Sequence, residues 1–369
     1  MNLVNKTGMN ADLVVAIDPT GREHVVVIVK GTFLIPDDAS EAVLAPPERQ
    51  MPLILADTFT GAPGFSAPVY EAEFCLRKPR CDVLLLGTAY APEGRPATRV
   101  KVGLKVGDWS KAFDVVGDRI WVQRGATLGP SPPQPFTTMP ISYDRAFGGI
   151  DDTDPALPNA YGANPIGQGY GIVHSGARLL GRKLPNTEDP RDPVTVPWGG
   201  YRPMSFGPVG RGWLPRAPLA GTYDLKWVDE TFPFLPADFD DQFFQAAPAD
   251  QQIDEPRGGD PTILLNLSPG GHKRFLLPTV EVPVVFQAAE IERTRAVLDT
   301  VVIDADPGII TLVWRASRPS VRDLFEVTEI LVGRQSRTWW RAREQGKSYY
   351  PSLGALIRER QRERLEEEA

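Results

Sequence analysis

Residues 99–122 read RVKVGLKVGDWSKAFDVVGDRIWV, and this stretch carries the clearest structural signal in the chain. Apolar residues alternate with polar or small ones along 100–106, which is typical of a strand with one buried face. Two Gly-Asp pairs, at 107–108 and 117–118, interrupt the alternation. Glycine at the first position of a two-residue turn suits a type II′ hairpin, so the stretch predicts a three-stranded antiparallel meander.

Similar patterns extend outward from this meander in both directions. Apolar runs at 13–17 and 24–35 flank an Asp-Pro-Thr-Gly turn, and runs at 293–304 and 309–316 flank an Ala-Asp-Pro-Gly turn, so each pair predicts a hairpin. Further strands are predicted at 69–76, 82–90, 261–267, 273–277, 279–287 and 327–332. The chain is therefore expected to be mainly β, with antiparallel sheets packed as a sandwich or as two sandwich-like lobes.

Composition divides the chain into four segments. We predict a β-rich region at 1–124, a loop-rich region with many aromatics and prolines at 125–260, a second β region packed on the first at 261–334, and a charged tail at 335–369 with a short helix at 355–368. The loop-rich region is not expected to be disordered, because its aromatic side chains have too much apolar surface to stay in water. These aromatics are Tyr143, Phe147, Tyr161, Trp198, Tyr201, Trp213, Tyr223, Trp227, Phe232, Phe234, Phe239, Phe243 and Phe244.

Charge and composition exclude several classes of function. The 369 residues carry a net charge of −7 and contain no apolar run of membrane-spanning length, so neither nucleic-acid binding nor membrane insertion is expected. Residues 1–8 lack the apolar stretch of a secretory signal, which predicts a cytoplasmic location. Cys75 and Cys81 are the only cysteines in the sequence, and both are expected to be reduced and structural.

Few residues form a recognisable catalytic or metal-binding pattern. The three histidines, His24, His174 and His272, lack the spacing of a zinc site, and no metal or other cofactor is expected. His174-Ser175 is not set in a Gly-x-Ser-x-Gly nucleophile turn. The glycine-rich stretch 164–171 lacks the preceding strand of a phosphate-binding loop, so a tight turn is the better interpretation.

Carboxylates cluster at 151–154 and 238–241 and leave an enzymatic interpretation open. Neither cluster has the glycine and distal glutamate of a calcium loop, so solvated loops or local turn caps are expected. The enzymatic alternative is a carboxylate-based or metal-dependent hydrolase built around Asp238, Asp240 and Asp250.

The densest constellation is LPADFDDQFFQAAPADQQ at 235–252, which mixes aromatic residues with prolines and short acids. Such a segment is either a loop plug that completes the core or a rigid binding surface, since aromatic residues are enriched at interfaces. The chemistry of its residues favours the plug. Either way, we expect the segment to be ordered without a ligand.

The same segment resembles the signature of a family long labelled a domain of unknown function and found in type VI secretion gene clusters. The resemblance covers about residues 1–320 and leaves 335–369 unmatched. It continues in YDRAFGG at 143–149, NPIGQG at 164–169, WLPR at 213–216, GTYD at 221–224 followed by Trp227, and in the opening stretches NKT at 5–7 and VIVKGTF at 27–33.

This resemblance implies a non-enzymatic adaptor or chaperone. Such a protein would bind a specific effector encoded nearby and help to load it onto a VgrG-type spike, often with a PAAR-type tip. A structural component of the secretion apparatus is a further alternative. The residues expected in the signature or protein-binding loop are Phe239, Asp240, Phe243, Phe244, Gln245, Pro248, Asp250, Gln251, Trp213, Tyr223, Trp227, Asn164 and Gly167.

Overall fold

A computed structural model describes residues 1–154, 156, 158–321, 324–350 and 352–367. Strands hold 37% of the residues and helices 15%, so the protein is mainly β, as the sequence predicted. Several antiparallel sheets pack together, long loops connect them, and a short helix lies near the C-terminus, which also confirms the predicted fold class.

The elements are numbered in chain order within the described residues. The strands are β1 (Asn2–Asn5), β2 (Asn10–Ile17), β3 (Glu23–Leu34), β4 (Val43–Leu44), β5 (Thr58–Phe59), β6 (Pro68–Tyr70), β7 (Cys81–Tyr90), β8 (Arg99–Val106), β9 (Trp109–Val116), β10 (Trp121–Arg124), β11 (Thr127–Pro130), β12 (Thr138–Ile141), β13 (Phe147–Gly148), β14 (Ile150–Asp151), β15 (Asn159–Ala160), β16 (Gln168–Gly169), β17 (Thr187–Glu188), β18 (Gln252–Ile253), β19 (Pro261–Leu265), β20 (His272–Leu276), β21 (Pro283–Gln287), β22 (Ile291–Arg295), β23 (Val297–Asp304), β24 (Ile309–Pro319) and β25 (Glu329–Val332). The α-helices are α1 (Leu225–Glu230), α2 (Arg337–Glu344) and α3 (Leu353–Glu367). Short 3₁₀ turns lie at Pro47–Arg49, Pro92–Gly94, Tyr143–Arg145, Val173–Leu179, Ala217–Ala220, Asp241–Phe244, Ala249–Gln251 and Leu324–Glu326.

The largest sheet has the strand order β12-β7-β23-β24-β3-β2, with β4 added beside β3 and β18 beside β7. Its strand β3 is buried at every position from 25 to 33. A strand covered on both faces needs a nearly continuous apolar run, and the sequence VVVIV at 25–29 supplies it. Both predicted hairpins are present here, β2–β3 and β23–β24.

The pairing of β7 with β23, like that of β3 with β24, joins distant parts of the chain. Strands β7 and β23 lie side by side in parallel, with Thr300 opposite Asp82 and Asp304 opposite Leu86. The predicted segments 1–124 and 261–334 therefore share one sheet. The boundaries drawn between these segments stay predictions.

The second sheet has the order β17-β9-β8-β19-β20 and contains only part of the predicted meander. Strands β8 and β9 form the expected hairpin, with Gly107 at a φ of +57° in its turn. The predicted third strand does not continue the meander, because β10 pairs with β11 and the short strand β17 takes the edge of β9. At Gly117, where the chain leaves β9, a Cβ would lie 1.8 Å from the Gln134 carbonyl oxygen, so only glycine fits there.

A third sheet, in the order β1-β25-β21-β22, completes the core. One hydrophobic cluster contains buried residues of all three large sheets, among them Leu312, Phe113 and Ile330. A smaller cluster around Trp121 and Phe147 forms the interior of the loop-rich region. The C-terminal helix α3 lies where a helix was predicted, although residue 368 is outside the described residues.

Both cysteines are free and buried. Burial raises the pKa of Cys75, and it raises the pKa of Cys81 well above its ordinary value. Each thiol therefore stays protonated at neutral pH and is poorly suited to act as a nucleophile or a metal ligand.

Candidate functional site

The segment at 235–252 is partly built into the central sheet. Its last residue, Gln252, begins β18, which pairs with Asp82 and Cys81 at the start of β7. Residues 245–247 and 251 are buried, whereas 237–244 are half-buried or exposed. The end of the segment is therefore buried as a core plug would be, while residues 237–244 keep contact with solvent.

Gln245 and Asp82 form the centre of the buried part. The carboxylate of Asp82 accepts from the Gln245 side-chain amide at 2.6 Å, from the backbone N–H of Ala246 at 2.8 Å and from Lys78 Nζ at 2.7 Å. Burial opposes the charge on Lys78, but Asp82 and Asp299 outweigh that effect and raise its pKa. Because each buried charge has partners, this cluster fixes the loop to the sheet.

Gln251 and Asp250 make a second buried connection. The Gln251 side-chain amide donates to the backbone oxygens of Val83 and Phe206, and its side-chain oxygen accepts from Lys111 Nζ at 2.7 Å. Asp250 accepts from the same ammonium at 3.1 Å. Burial lowers the pKa of Lys111 to about 8, although Asp250 acts in the opposite direction.

Three phenylalanines lie next to this anchored part. The rings of Phe239, Phe243 and Phe244 contact one another with centroids 5.5–6.0 Å apart, and all three are half-buried. The buried guanidinium of Arg216 donates to the Phe243 carbonyl at 2.7 Å and is paired with Glu71. The cluster therefore packs against the body of the protein on one side.

Asn164 and Gly167, two of the predicted site residues, also contribute to the fold. The Asn164 amide is buried and donates to the Tyr143 and Phe147 carbonyls at 2.9 and 3.1 Å. A Cβ at Gly167 would lie 2.4 Å from Asn164 Nδ2, so a larger residue would collide with this amide. Trp213 is buried with its ring edge-on to Tyr143, at 5.3 Å between centroids.

The three carboxylates considered for a hydrolase have different hydrogen-bond partners. Asp238 accepts from the backbone and hydroxyl of Thr222, and Asp240 accepts from the Gln242 backbone as a turn cap. Asp250 is paired with Lys111 instead. Within the described residues, no group of three or more His, Cys, Asp or Glu side chains is arranged to hold a metal ion.

A cavity of about 610 Å³ lies elsewhere, between the 60–68 loop and the end of β12. It is lined by Pro68, Leu86 and Ile141 together with Tyr143 and Asp144. Asp144 accepts from Thr60 Oγ1 and from the Ala67 backbone, so its carboxylate stabilises the wall of the cavity. None of the three carboxylates considered for a hydrolase lines it.

Residues 221–238 form a separate surface feature, which we name the aromatic lobe. Asp224 caps helix α1 by accepting from the Trp227 backbone at 2.8 Å, and the Trp227 indole donates to the Phe234 carbonyl at 3.0 Å. The Trp227 ring contacts both Tyr223 and Phe232, at 4.7 and 5.6 Å between centroids. These contacts are internal to the lobe and fix its shape.

The aromatic lobe presents its large apolar side chains to solvent. Leu225 is 81% exposed, Phe232 66% and Tyr223 53%, and Val228 and Phe234 are also exposed. No residue from 217 to 244, all of which the structure describes, belongs to a buried hydrophobic cluster. Several exposed apolar side chains on one short segment mark a site of protein interaction more often than a folding requirement.

The sequence pattern singled out Tyr223 and Trp227 but not their neighbours. Phe232 and Phe234 were expected to be removed from water with the other aromatics of the loop-rich region, and this expectation was wrong for both of them and for Tyr223. The apolar composition of a segment does not show which of its aromatic side chains are buried and which are exposed to solvent. The available signal was local, since the Asp224 cap and two prolines order a short segment without any core of its own.

Comparison with protein-family models identifies the family of the chain. The family model described as "Uncharacterized protein conserved in bacteria (DUF2169)" matches residues 20–315, which is more than half of the chain. No curated protein and no solved structure matches the chain. Among the helices of the described residues, none is both long enough and apolar enough to cross a membrane.

Proposed function

Given that the chain belongs to the DUF2169 family of uncharacterized bacterial proteins, we propose that it is a non-enzymatic adaptor or chaperone of type VI secretion. In this proposal it binds one effector encoded nearby, in the cytoplasm, and helps to load that effector onto the VgrG-type spike and its PAAR-type tip. The observation that carries the proposal is the aromatic lobe. It presents Leu225, Phe232 and neighbouring apolar side chains on a segment that is already ordered.

An ordered aromatic surface suits tight binding of another protein. Association costs free energy when flexible side chains and loops must be fixed, and a surface fixed in advance avoids part of that cost. Tyrosine and tryptophan are also enriched among the few residues that dominate the binding energy of an interface. The Asp224 cap and the bond from Trp227 to Phe234 supply this order before any partner is present.

The carboxylate hydrolase receives less support. Asp238 and Asp240 accept hydrogen bonds within their own turns, and Asp250 is held by Lys111. A hydrolytic site needs carboxylates that converge on one cleft with a free face toward the substrate. The third alternative, a structural component of the secretion apparatus, differs from the adaptor in predicting that spike assembly itself depends on this protein.

Deletion of the gene in the native host tests the proposal. Binding to the folded effector stabilises it by about 2.7 kcal/mol when the free adaptor is at a hundredfold excess over Kd. The effector should therefore accumulate less and be secreted less in the deletion strain, as measured by immunoblots of cells and medium. The effector should also co-purify with the tagged protein.

Two controls separate the alternatives. Spike assembly and export of unrelated effectors should continue in the deletion strain, and their loss would favour the structural component. Normal effector levels, normal secretion and no co-purification with any neighbouring gene product would refute the adaptor.

A further inference from the structure

The aromatic lobe and the residues that follow it carry a concentrated negative charge. Residues 221–241 contain six acidic residues and one basic residue, a net charge of −5, while the entire chain has −7. The acidic residues are Asp224, Asp229, Glu230, Asp238, Asp240 and Asp241, and the basic residue is Lys226. Much of the net negative charge of the protein therefore lies in the same segment as the exposed apolar side chains of the lobe.

These carboxylates differ in how far they are neutralised. Asp241 is paired with Arg77, and Lys226 lies 4.0 Å from Glu230. The backbone and hydroxyl of Thr222 lower the pKa of Asp238, which keeps that carboxylate ionised. Asp229 and Glu230 are exposed at the end of α1, next to Val228 and Phe232.

We propose that the aromatic lobe binds a cationic segment of the partner protein that also carries bulky apolar side chains. This inference rests on the proposed function only for the statement that the partner is an effector. Charge complementarity gives the chemistry, because lysine or arginine side chains can face the carboxylates while apolar side chains cover Leu225 and Phe232. A second copy would bring like charges together, and an anionic membrane surface would repel the lobe.

A synthetic peptide tests the surface without knowledge of the effector. The probe is a fluorescein-labelled peptide of lysine, leucine and tryptophan, and its control has glutamate in place of each lysine. We expect the lysine peptide to bind the purified full-length protein, with a Kd that rises at least about tenfold between 50 and 500 mM NaCl. The glutamate peptide should not bind. Fluorescence anisotropy measures both.

Variants locate the binding. Asp229→Lys with Glu230→Lys should raise the Kd of the lysine peptide about tenfold, and Phe232→Ala should raise it by a similar factor. The control pair Glu48→Lys with Glu344→Lys changes the net charge equally at exposed sites outside the lobe and should leave the Kd unchanged. Phe65→Ala removes another exposed ring, 82% accessible, and serves as the apolar control. Melting curves verify that each variant is folded.

Several outcomes would overturn the inference. These are failure of the lysine peptide to bind, equal binding of the glutamate peptide, and equal effects of the lobe and control variants. Self-association or vesicle binding that Phe232→Ala abolishes would assign the surface to a second copy or to a membrane instead. If the effector co-purifies but the lobe variants still bind it normally, the inference fails while the proposed function stands.

Discussion

The side-chain amide of Gln245 donates to the buried carboxylate of Asp82 at 2.6 Å, although 163 residues separate them in the chain. This bond attaches the segment at 235–252 to the start of strand β7. The same carboxylate is paired with the buried Lys78, whose ammonium also donates to Thr300 Oγ1 at 3.0 Å and so joins strand β23 to the contact. Gln245 is therefore built into the fold by a contact with a residue far away in the sequence.

The first prediction concerns this contact. Asp82→Asn replaces one acceptor oxygen by an amino group that faces N–H donors and leaves Lys78 without its anion. We expect the free energy of unfolding to fall by about 3–5 kcal/mol, as measured by urea denaturation. Asp254→Asn is the matched control, since Asp254 is 95% exposed and its pair with Arg80 should contribute at most about 1 kcal/mol. Equal effects of the two changes would contradict the assignment.

The second prediction separates the two parts of the aromatic segment. Phe243 is half-buried against Arg216, so Phe243→Ala should lower the free energy of unfolding by about 1–2 kcal/mol, less than the ~3–5 kcal/mol of a fully buried ring. Phe232→Ala removes an exposed ring and should change the free energy of unfolding by less than about 0.5 kcal/mol. Thermal melts of the two variants give the comparison. If Phe232→Ala were the more destabilising change, the lobe would be a folding element.

The free energy of unfolding should depend on pH through the buried Lys111. Lys111 has its pKa lowered to about 8 by burial, so between pH 8 and about 10.5 the unfolded chain binds a proton there that the folded protein lacks. Stability from this group must therefore rise with pH in that window. Lys111→Met should be less stable than the wild type at pH 7 by about 1–3 kcal/mol, because it leaves the buried side-chain oxygen of Gln251 without its donor, while Asp250 keeps its pair with Arg202.

The difference in the free energy of unfolding should then widen by on the order of 1 kcal/mol between pH 8 and 9.5. Chemical denaturation at both pH values measures it. Lys226→Met, at an exposed lysine, should show no such change. A constant difference would show that Lys111 titrates normally in the folded protein.

The fourth prediction concerns the buried thiols. Cys75 and Cys81 have raised pKa values, so the folded protein keeps both protons while an unfolded thiol loses its proton above about pH 8.5. Stability from these groups is present below that pH and is lost as the pH rises toward the folded pKa. Cys75→Ala with Cys81→Ala should therefore lose less stability than the wild type between pH 7.5 and 9.5, in the presence of a reductant.

Alkylation provides an independent check on the thiols. Native protein should react slowly with iodoacetamide, and denatured protein should take up two adducts by mass. A disulfide in protein purified without oxidant would contradict the free thiols of the structure.

Sequence patterns predicted the pairing of strands that follow each other in the chain. They did not predict contacts between segments that are far apart in the sequence. The hairpin of β23 and β24 follows from two apolar runs on either side of one turn. The strand at Trp121 also looked like a neighbour of β9, but it pairs with β11, and the short strand β17 takes the edge of β9. Likewise, the contact of Asp82 with Gln245 has no local signature, because each residue is polar and unremarkable in its own segment.

The sequence predicted which segment holds the candidate site, but not which side chains of the protein are exposed at its surface. The signature residues Gln245 and Gln251 proved to be buried, whereas Leu225 and Phe232, which no motif marked, form the exposed lobe. A single sequence reports which residues are apolar, and exposure depends on what the rest of the chain covers. That information arises only from tertiary contacts.

The last prediction joins the lobe to the proposed function in cells. A deletion strain complemented with Leu225→Ala and Phe232→Ala should contain normal amounts of this protein, because both side chains are mostly exposed and support no hydrophobic cluster. The effector should nevertheless accumulate and be secreted less, since the surface that stabilises it is truncated. The matched strain carries Leu55→Ala and Phe65→Ala, which remove equally exposed side chains outside the lobe and should restore wild-type secretion. Immunoblots of both proteins in cells and medium measure the outcome. Full rescue by the lobe variant would place effector binding on another face, and failure of both variants would indicate that exposed apolar residues act through solubility instead.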